Sequence, residues 1–294
     1  MDIQKVTERQ IAEHELVTVT RMNHLIEIQH MEKRNTKCHI KKLDAERYMD
    51  IETGEIKEFE RTENRAQGLN SLRQTFKKLR YLINNNFVGA RNELFLTLTY
   101  RGELQTNDHL QVGKDYDNFL KRLKRKYGNV DAIKVLEPHQ SGNWHMHVLA
   151  RFNDLSTVYI PNETLSEIWG NGFVTIQSLK DVDNIGAYVS AYLTDIEVTK
   201  DTALNLVGRD LDIKECDGKY FAKGARLIYY PTGVNLYSKT KGIVYPERVD
   251  MRYSSIKKIV GAATPHYKKS IAISDDEKDY SNTITYEQYN LKRE

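Results

Sequence analysis

Two strand patterns in the middle of the chain, separated by only a few residues, most constrain how it can fold. The segments are AIKVLE (132–137) and WHMHVLARF (144–152), and apolar and β-branched residues dominate both. A connection this short can join only antiparallel strands, because a parallel pair needs a long crossover. The central sheet is therefore predicted to be mostly antiparallel.

The elements around this hairpin predict an α+β fold with helices packed on one face of that sheet. Further strand patterns cover residues 16–60, 93–100 and 172–179, and apolar residues at helical spacing cover residues 66–86, 115–127, 161–170 and 183–196. We divide the chain into an N-terminal β-hairpin and helix elaboration (1–87), a core (88–200), a segment that closes the fold (201–267) and a polar tail (268–294). The tail is expected to be poorly ordered because few of its residues are apolar.

Composition excludes several classes of protein. Charged residues make up 29% of the 294 residues, and no stretch approaches the roughly 18 apolar residues that a membrane span requires. The first residues, MDIQKVTERQ, contain no secretory signal pattern. Cys38 and Cys216 lie far apart and outside any CxxC motif, so neither a disulfide framework nor a zinc cage is indicated. We expect a cytoplasmic protein.

Both histidines of the second strand lie on the same side of the hairpin. Side chains alternate along a strand, so His145 and His147 share a face with Leu149 and Arg151. The alternate residues form a continuous apolar surface on the other face: Trp144, Met146, Val148, Ala150 and Phe152. The apolar face is expected beneath helices, and the histidine face is expected to be partly open. Two hydrogen-bonded core histidines are the alternative.

Glu137 joins these histidines only if the turn has the right parity. It lies opposite His145 when the loop contains an odd number of residues, as a three-residue loop of Gln140-Ser141-Gly142 would provide. Glycine suits the last position of such a loop, where φ is positive. His139 would lie on the same face, closer to the turn. An even loop would instead place Glu137 on the apolar face.

Two imidazoles and one carboxylate are ligands that suit a divalent cation with open positions for a substrate oxygen. Glu137, His145 and His147 are therefore candidate metal ligands. The mixed nitrogen and oxygen set favours Mn²⁺ or Mg²⁺ and does not exclude zinc.

Two tyrosines form a second candidate feature. Tyr188 and Tyr192 are four residues apart in GAYVSAYLTD, so they are predicted on one face of a helix. A tyrosine hydroxyl can attack a phosphodiester and form a covalent phosphotyrosine link. The alternative is that both rings lie at the edge of the core with their hydroxyls hydrogen-bonded.

Basic residues are concentrated in FLKRLKRKYG (119–128), on a predicted helix. A solvated helix face is the usual meaning of such a run, and contact with DNA phosphates is the alternative. Four candidate DNA-binding residues follow from the second interpretation: Lys121, Arg122, Lys124 and Arg125. The net charge of +3 does not by itself indicate a nucleic-acid partner.

Three segments, taken in order, resemble the motifs of the HUH endonucleases: FLTLTY (95–100), HMH (145–147) and AYVSAYL (187–193). More narrowly, they are similar to rolling-circle replication initiators of plasmids and small single-stranded DNA phages. VLEPHQSGNWHMH, LSEIWGNGFVTIQSL and ARLIYYPTGVNLYSKTKGIVYP resemble replication-associated proteins of Gram-positive bacteria and their mobile elements. The resemblance covers roughly residues 45–250.

The resemblance implies a palm-like, ferredoxin-like sheet that carries the metal site. It implies metal ligation by His145 and His147, completed by Glu137, and nucleophilic attack by Tyr188 with Tyr192 as the second tyrosine. It also implies a bacterial host cell, origin DNA in single-stranded or hairpin form, and a host polymerase. Many relatives carry a lysine three residues after the first tyrosine, where this chain has Ala191. Lys180 or a residue of the C-terminal segment could take that role.

Two alternatives remain open from the sequence. A two-tyrosine transposase would use the same chemistry on another DNA substrate, and an origin-binding repressor would keep the fold without turnover. No GxxxxGK[ST] loop occurs in the chain, so no ATP-driven helicase is fused to it. Unwinding is expected to come from a host helicase or from supercoiling.

Overall fold

The computed structural model describes the chain except for residues 1, 7–8, 35–37, 45, 60–68, 139–142, 204–205, 209–211, 217, 232, 276–279 and 294. Residues 2–6, 69–71, 73, 192, 200–201 and 275 are described by their backbone. The strands, in chain order, are β1 (Asp2–Val6), β2 (Leu16–Met22), β3 (Leu25–Met31), β4 (Ile40–Lys42), β5 (Arg47–Asp50), β6 (Ile56–Glu58), β7 (Glu93–Tyr100), β8 (Val130–Pro138), β9 (Trp144–Phe152), β10 (Gly172–Ser178), β11 (Ile196–Glu197), β12 (Ile213–Cys216), β13 (Lys219–Ala222), β14 (Tyr237–Lys239), β15 (Arg248–Arg252), β16 (Tyr267–Asp275) and β17 (Tyr280–Asn290). The α-helices are α1 (Leu69–Asn86), α2 (His109–Tyr127), α3 (Asn162–Trp169), α4 (Ile185–Thr194), α5 (Lys200–Ala203) and α6 (Lys257–Val260), and 3-10 turns span Gly102–Leu104, Ala225–Tyr229 and Tyr253–Ser255.

The chain forms two compact units, one from residues 1–62 and 247–294 and one from residues 63–246. The first unit contains a six-stranded sheet in the order β1-β16-β17-β3-β2-β15 and a three-stranded sheet in the order β4-β5-β6. Its core forms where Val17, Val19 and Ile28 pack against Ile256 and Val260. Strands from both ends of the sequence therefore build one sheet.

The tail expected to be poorly ordered differs from the structure, because β16 and β17 pair along their length and β17 also pairs with β3. Its polar side chains are buried with partners. Glu287 accepts hydrogen bonds from the hydroxyls of Tyr253 and Tyr289 and lies 2.9 Å from Lys268 Nζ. Polar composition alone did not reveal these contacts, since each partner comes from another part of the chain or from a neighbouring strand position.

The second unit is built on a five-stranded sheet in the order β10-β7-β9-β8-β14, in which every described neighbouring pair is antiparallel. This confirms the α+β class and the mostly antiparallel sheet. A small sheet in the order β11-β13-β12 lies in the same unit.

Helices pack on both faces of the five-stranded sheet. On the far face, as we call it, Leu96, Met146 and Val148 pack with residues of α2 and α3. On the site face, Phe95, Ile133, Val135 and Leu149 pack with residues of α1 and α4. The expected set of helices on one face is therefore joined by a second set, because the site face also carries apolar side chains that need cover.

Local signals explain where the helices begin and end. The Asp108 side chain accepts a hydrogen bond from the Leu110 amide at 2.8 Å, so α2 starts six residues before the predicted residue 115. Gly170 ends α3 in the left-handed conformation, as the sequence predicted. Among the described residues, no helix is long and apolar enough to cross a membrane.

Candidate active site

Glu137 lies directly opposite His145 in the β8–β9 hairpin. The predicted parity of the turn is therefore confirmed, and Glu137 shares the site face with both histidines. The proposed three-residue loop and His139 lie outside the described residues. The alternate residues Trp144, Met146 and Val148 lie in the far-face core, as predicted.

His147 is fully buried, with 0% of its surface exposed. Its Nε2 contacts the Oε2 atom of Glu137, and its Nδ1 lies 3.1 Å from the Oγ1 atom of Thr97 on the neighbouring strand β7. The Phe95 ring stacks on the imidazole at a centroid distance of 5.5 Å and an interplanar angle of 16°. His147 is thus held from three sides, whereas His145 is half-buried.

The Glu137 carboxylate is 5% exposed and has both oxygens engaged. Oε2 contacts His147, and Oε1 contacts the Nη1 atom of Arg226. Burial alone would raise the pKa of Glu137, but the hydrogen bond and charge of His147 and the charge of Arg226 outweigh it and hold the pKa below its usual range. The carboxylate is therefore ionised at neutral pH.

Arg226 is a site residue that the sequence analysis missed. It lies on the 3-10 turn Ala225–Tyr229, where its Nη2 atom donates to the Asp195 carbonyl oxygen at 3.3 Å. The Gly224 amide donates to Asp195 Oδ1 at 2.9 Å, so this turn is fastened to the residue that ends α4. The Nε atom of Arg226 is buried without a hydrogen-bond partner among the described residues. No local pattern distinguishes this arginine from the others in the sequence.

The donor chemistry of Glu137 and His147 fits a divalent cation. In the structure a proton on Nε2 joins His147 to Glu137, and a metal ion in place of that proton requires the remaining hydrogen to sit on Nδ1. Thr97 Oγ1 is positioned to accept that hydrogen, which is how metal-binding histidines are usually oriented. Within the described ranges, no three His, Cys, Asp or Glu side chains already converge in a group that could hold a metal ion. The structure thus brings together two of the three predicted ligands, with His145 opposite Glu137.

Tyr188 lies on α4, on the same face of the sheet as these groups. Its ring packs edge-on against Phe95 at a centroid distance of 6.3 Å and an angle of 75°. Phe95 therefore contacts both the His147 imidazole and the Tyr188 ring. The hydroxyl of Tyr188 lies 3.5 Å from Gln177 Oε1, and the residue is 41% exposed. The side chain of Tyr192 lies outside the part of the chain that the structure describes, and Ala191 and Lys180 are exposed.

The position of α4 depends on a close crossing with α1. Asn84 of α1 accepts a hydrogen bond from the Gly186 amide at 2.7 Å and donates to the Asn184 side chain at 3.0 Å. A Cβ atom at Gly186 would lie 2.6 Å from the Arg80 carbonyl oxygen, so only glycine permits this approach. Tyr188 is two residues further along α4 and is placed by this contact.

The predicted DNA-binding residues of α2 lie away from this site. Tyr116, Phe119 and Leu123 of α2 pack on the far face of the sheet, opposite the face that carries Glu137. Arg122 donates to the carbonyl oxygens of Ile168 and Trp169 at the end of α3. Arg122 thus has a structural role, and contact of Lys121, Lys124 and Arg125 with DNA remains a prediction about a separate surface.

Residues 93–197 match the family model of the ORF2-type replication-associated proteins. The matched segment spans β7 to β11 and includes Thr97, Glu137, His147 and Tyr188. It covers slightly more than a third of the chain and supports the class of replication initiator proteins for it. No curated protein and no solved structure matched the chain significantly.

Proposed function

We propose that this chain is a rolling-circle replication initiator of the HUH type, a metal-dependent enzyme that nicks and rejoins one DNA strand at an origin. One observation carries the proposal: Phe95 contacts both the His147 ring, next to Glu137, and the Tyr188 ring. A phenol and a set of metal-ligand side chains thus lie side by side on one face of the sheet. The family match to replication-associated proteins supports the same role.

The proposed reaction is a transesterification. The Tyr188 oxygen attacks the scissile phosphorus, the bond from phosphorus to the 3′ oxygen breaks, and a 5′-phosphotyrosine bond forms. The phenol loses one proton and the leaving oxygen gains one, so that a free 3′ hydroxyl results and no water is consumed. That hydroxyl would prime synthesis by a host polymerase, with unwinding by a host helicase, in the cytoplasm of a bacterial cell.

Glu137 and His147, completed by His145, would hold Mn²⁺ or Mg²⁺. Such an ion supplies polarisation and alignment of the scissile phosphate. Thr97 holds the His147 ring in place, and Arg226 holds Glu137 from the other side. Arg226 belongs to the C-terminal segment, and we propose that it also provides the positive charge that the family resemblance assigns to a lysine at the position of Ala191.

Tyr192 would attack in a second step that ends the reaction or transfers a strand. A two-tyrosine transposase would use the same residues and would differ in its DNA substrate. The exposed Ala191 gives a reason to test a repressor that binds DNA without turnover.

The test is formation of a covalent adduct between the protein and labelled single-stranded origin DNA, detected after SDS denaturation, with Mn²⁺ or with EDTA. We expect an adduct with the wild type and with Tyr192→Phe, and none with Tyr188→Phe or with EDTA. Tyr159→Phe is the matched control, since Tyr159 is 84% exposed and its neighbours Val158 and Ile160 pack in the far-face core. Tight DNA binding without an adduct in any variant would support the repressor instead.

A further inference from the structure

Strand β10 carries a row of exposed side chains on the site face. Phe173, Thr175 and Gln177, which we call the β10 strip, lie opposite Thr99, Thr97 and Phe95 of β7. The alternate residues Val174 and Ile176 pack into the far-face core. The β10 strip therefore faces the same side as His147 and Tyr188.

The β10 strip is continuous with the candidate active site. Its inner end is Gln177, whose Oε1 atom lies 3.5 Å from the Tyr188 hydroxyl. Thr175 lies in register with Thr97, the residue that contacts His147 Nδ1. Phe173 is at the outer end, about 13 Å from Gln177 at the rise of an extended strand.

Phe173 is 68% exposed, although its neighbours along the strand are buried or half-buried on the far face. The fold gains little from this ring, because Val174 and Ile176 already provide the packing of β10. Single exposed aromatic residues are common, so exposure alone indicates nothing. What distinguishes Phe173 is its place in a row that ends at the candidate nucleophile.

We propose that Phe173 stacks on an unpaired base of the DNA strand whose scissile phosphate lies at Tyr188, and that Thr175 and Gln177 hydrogen-bond to the nucleotides between. This inference rests on the proposed function and specifies how its substrate is bound. An aromatic ring beside neutral hydrogen-bonding side chains is the composition of a stacking platform for single-stranded nucleic acid. The exposed basic residues Arg101 and Lys180, close to the two ends of β10, complement the phosphates.

Single-stranded DNA fits this surface better than duplex DNA or a protein. The bases of a duplex are stacked on one another and cannot offer a ring face to Phe173. One aromatic side chain among threonine and glutamine residues is also far smaller than the apolar centre of a stable protein interface.

The experiment measures binding of the full-length protein to single-stranded origin DNA by fluorescence anisotropy, with Tyr188→Phe as the background to prevent cleavage. Loss of stacking in Phe173→Ala should weaken binding about fivefold to 150-fold. Phe173→Trp should retain affinity, and Tyr159→Ala, which removes an exposed ring elsewhere, should not change it. Circular dichroism spectra of the variants check that each is folded.

A series of DNAs with one abasic position identifies the stacked base. At one position the abasic site should weaken binding to the wild-type ring and have little further effect in Phe173→Ala, as a double-mutant cycle detects. Equal affinity of Phe173→Ala and Phe173 proteins would overturn the inference, and so would an equal loss on duplex DNA. The adduct assay tests the proposed function separately. An adduct without any effect of Phe173 refutes only the stacking, whereas base coupling to Phe173 without an adduct refutes only the catalysis.

Discussion

The guanidinium of Arg226 contacts the Glu137 carboxylate, and its other nitrogen donates to the carbonyl oxygen of Asp195 at the end of α4. One side chain thus joins the strand that carries a candidate metal ligand to the helix that carries Tyr188. Both the carboxylate and the arginine contact are largely shielded from water, so their separation has a cost.

Arg226→Met is expected to lower the free energy of unfolding by about 3 kcal/mol, because it leaves a buried carboxylate without its cation. Arg226→Lys should lose less, since the charge remains. Glu137→Gln combined with Arg226→Met should recover part of the loss, and urea denaturation of the four proteins gives the coupling energy. Equal stability of Arg226→Met and wild type would mean that the contact contributes nothing.

Thr97→Val is expected to weaken Mn²⁺ binding about tenfold to 100-fold, because the hydroxyl that would accept the Nδ1 hydrogen of His147 is replaced by a methyl group. Thr97→Ser keeps the hydroxyl and should bind Mn²⁺ like the wild type. Isothermal titration of the protein with Mn²⁺, without DNA, measures the affinity. Unchanged binding by Thr97→Val would show that this hydroxyl does not orient a metal ligand.

Gly186→Ala is expected to destabilise the protein by about 1–3 kcal/mol, because the added Cβ would press on the Arg80 carbonyl oxygen and force α1 and α4 apart. Gly113→Ala is the matched control in α2, where a Cβ meets nothing within 4 Å and should stabilise the helix. Thermal unfolding compares the two. A stable Gly186→Ala protein would indicate that the helix crossing adapts easily.

Asp131→Asn is expected to destabilise the protein at pH 7 and to have little effect in acid. Burial alone would raise the pKa of Asp131, but hydrogen bonds from Asn153, Thr240 and Arg151 hold it below the ordinary value of 3.8. A lowered pKa contributes stability above pH 3.8, and this contribution disappears as the pH falls through the pKa of the folded state. Urea denaturation of both proteins from pH 7 to pH 3 should therefore show the difference shrinking below about pH 4. A difference independent of pH would contradict this assignment.

Local patterns were sufficient to predict the hairpin and the register of its site residues. Alternation along β9 separates the face of His147 from that of Met146, and the odd turn places Glu137 opposite His145. The capping glycine at the end of α3 was equally readable, because each of these signals lies within a few residues of the element it controls.

Contacts between distant segments could not be predicted in this way. Arg226 reaches Glu137 through tertiary packing, and the sequence around it contains no corresponding signal. The cluster of basic residues on α2 indicates a charged helix face but not which face of the sheet the helix covers. Strand β17 looked too polar to be ordered because the partners of Glu287 lie on other strands and turns.

The placement of β17 in the interior of the six-stranded sheet has a consequence for biosynthesis. The unit formed by residues 63–246 is one continuous stretch, so a nascent chain can complete it before the remaining residues are made. The other unit has to wait, because β3 lacks its neighbour until residues 280–290 have left the ribosome. A message cut short after residue 246 would therefore yield the candidate catalytic unit together with an unfinished sheet whose β3 edge is open to pairing with other chains.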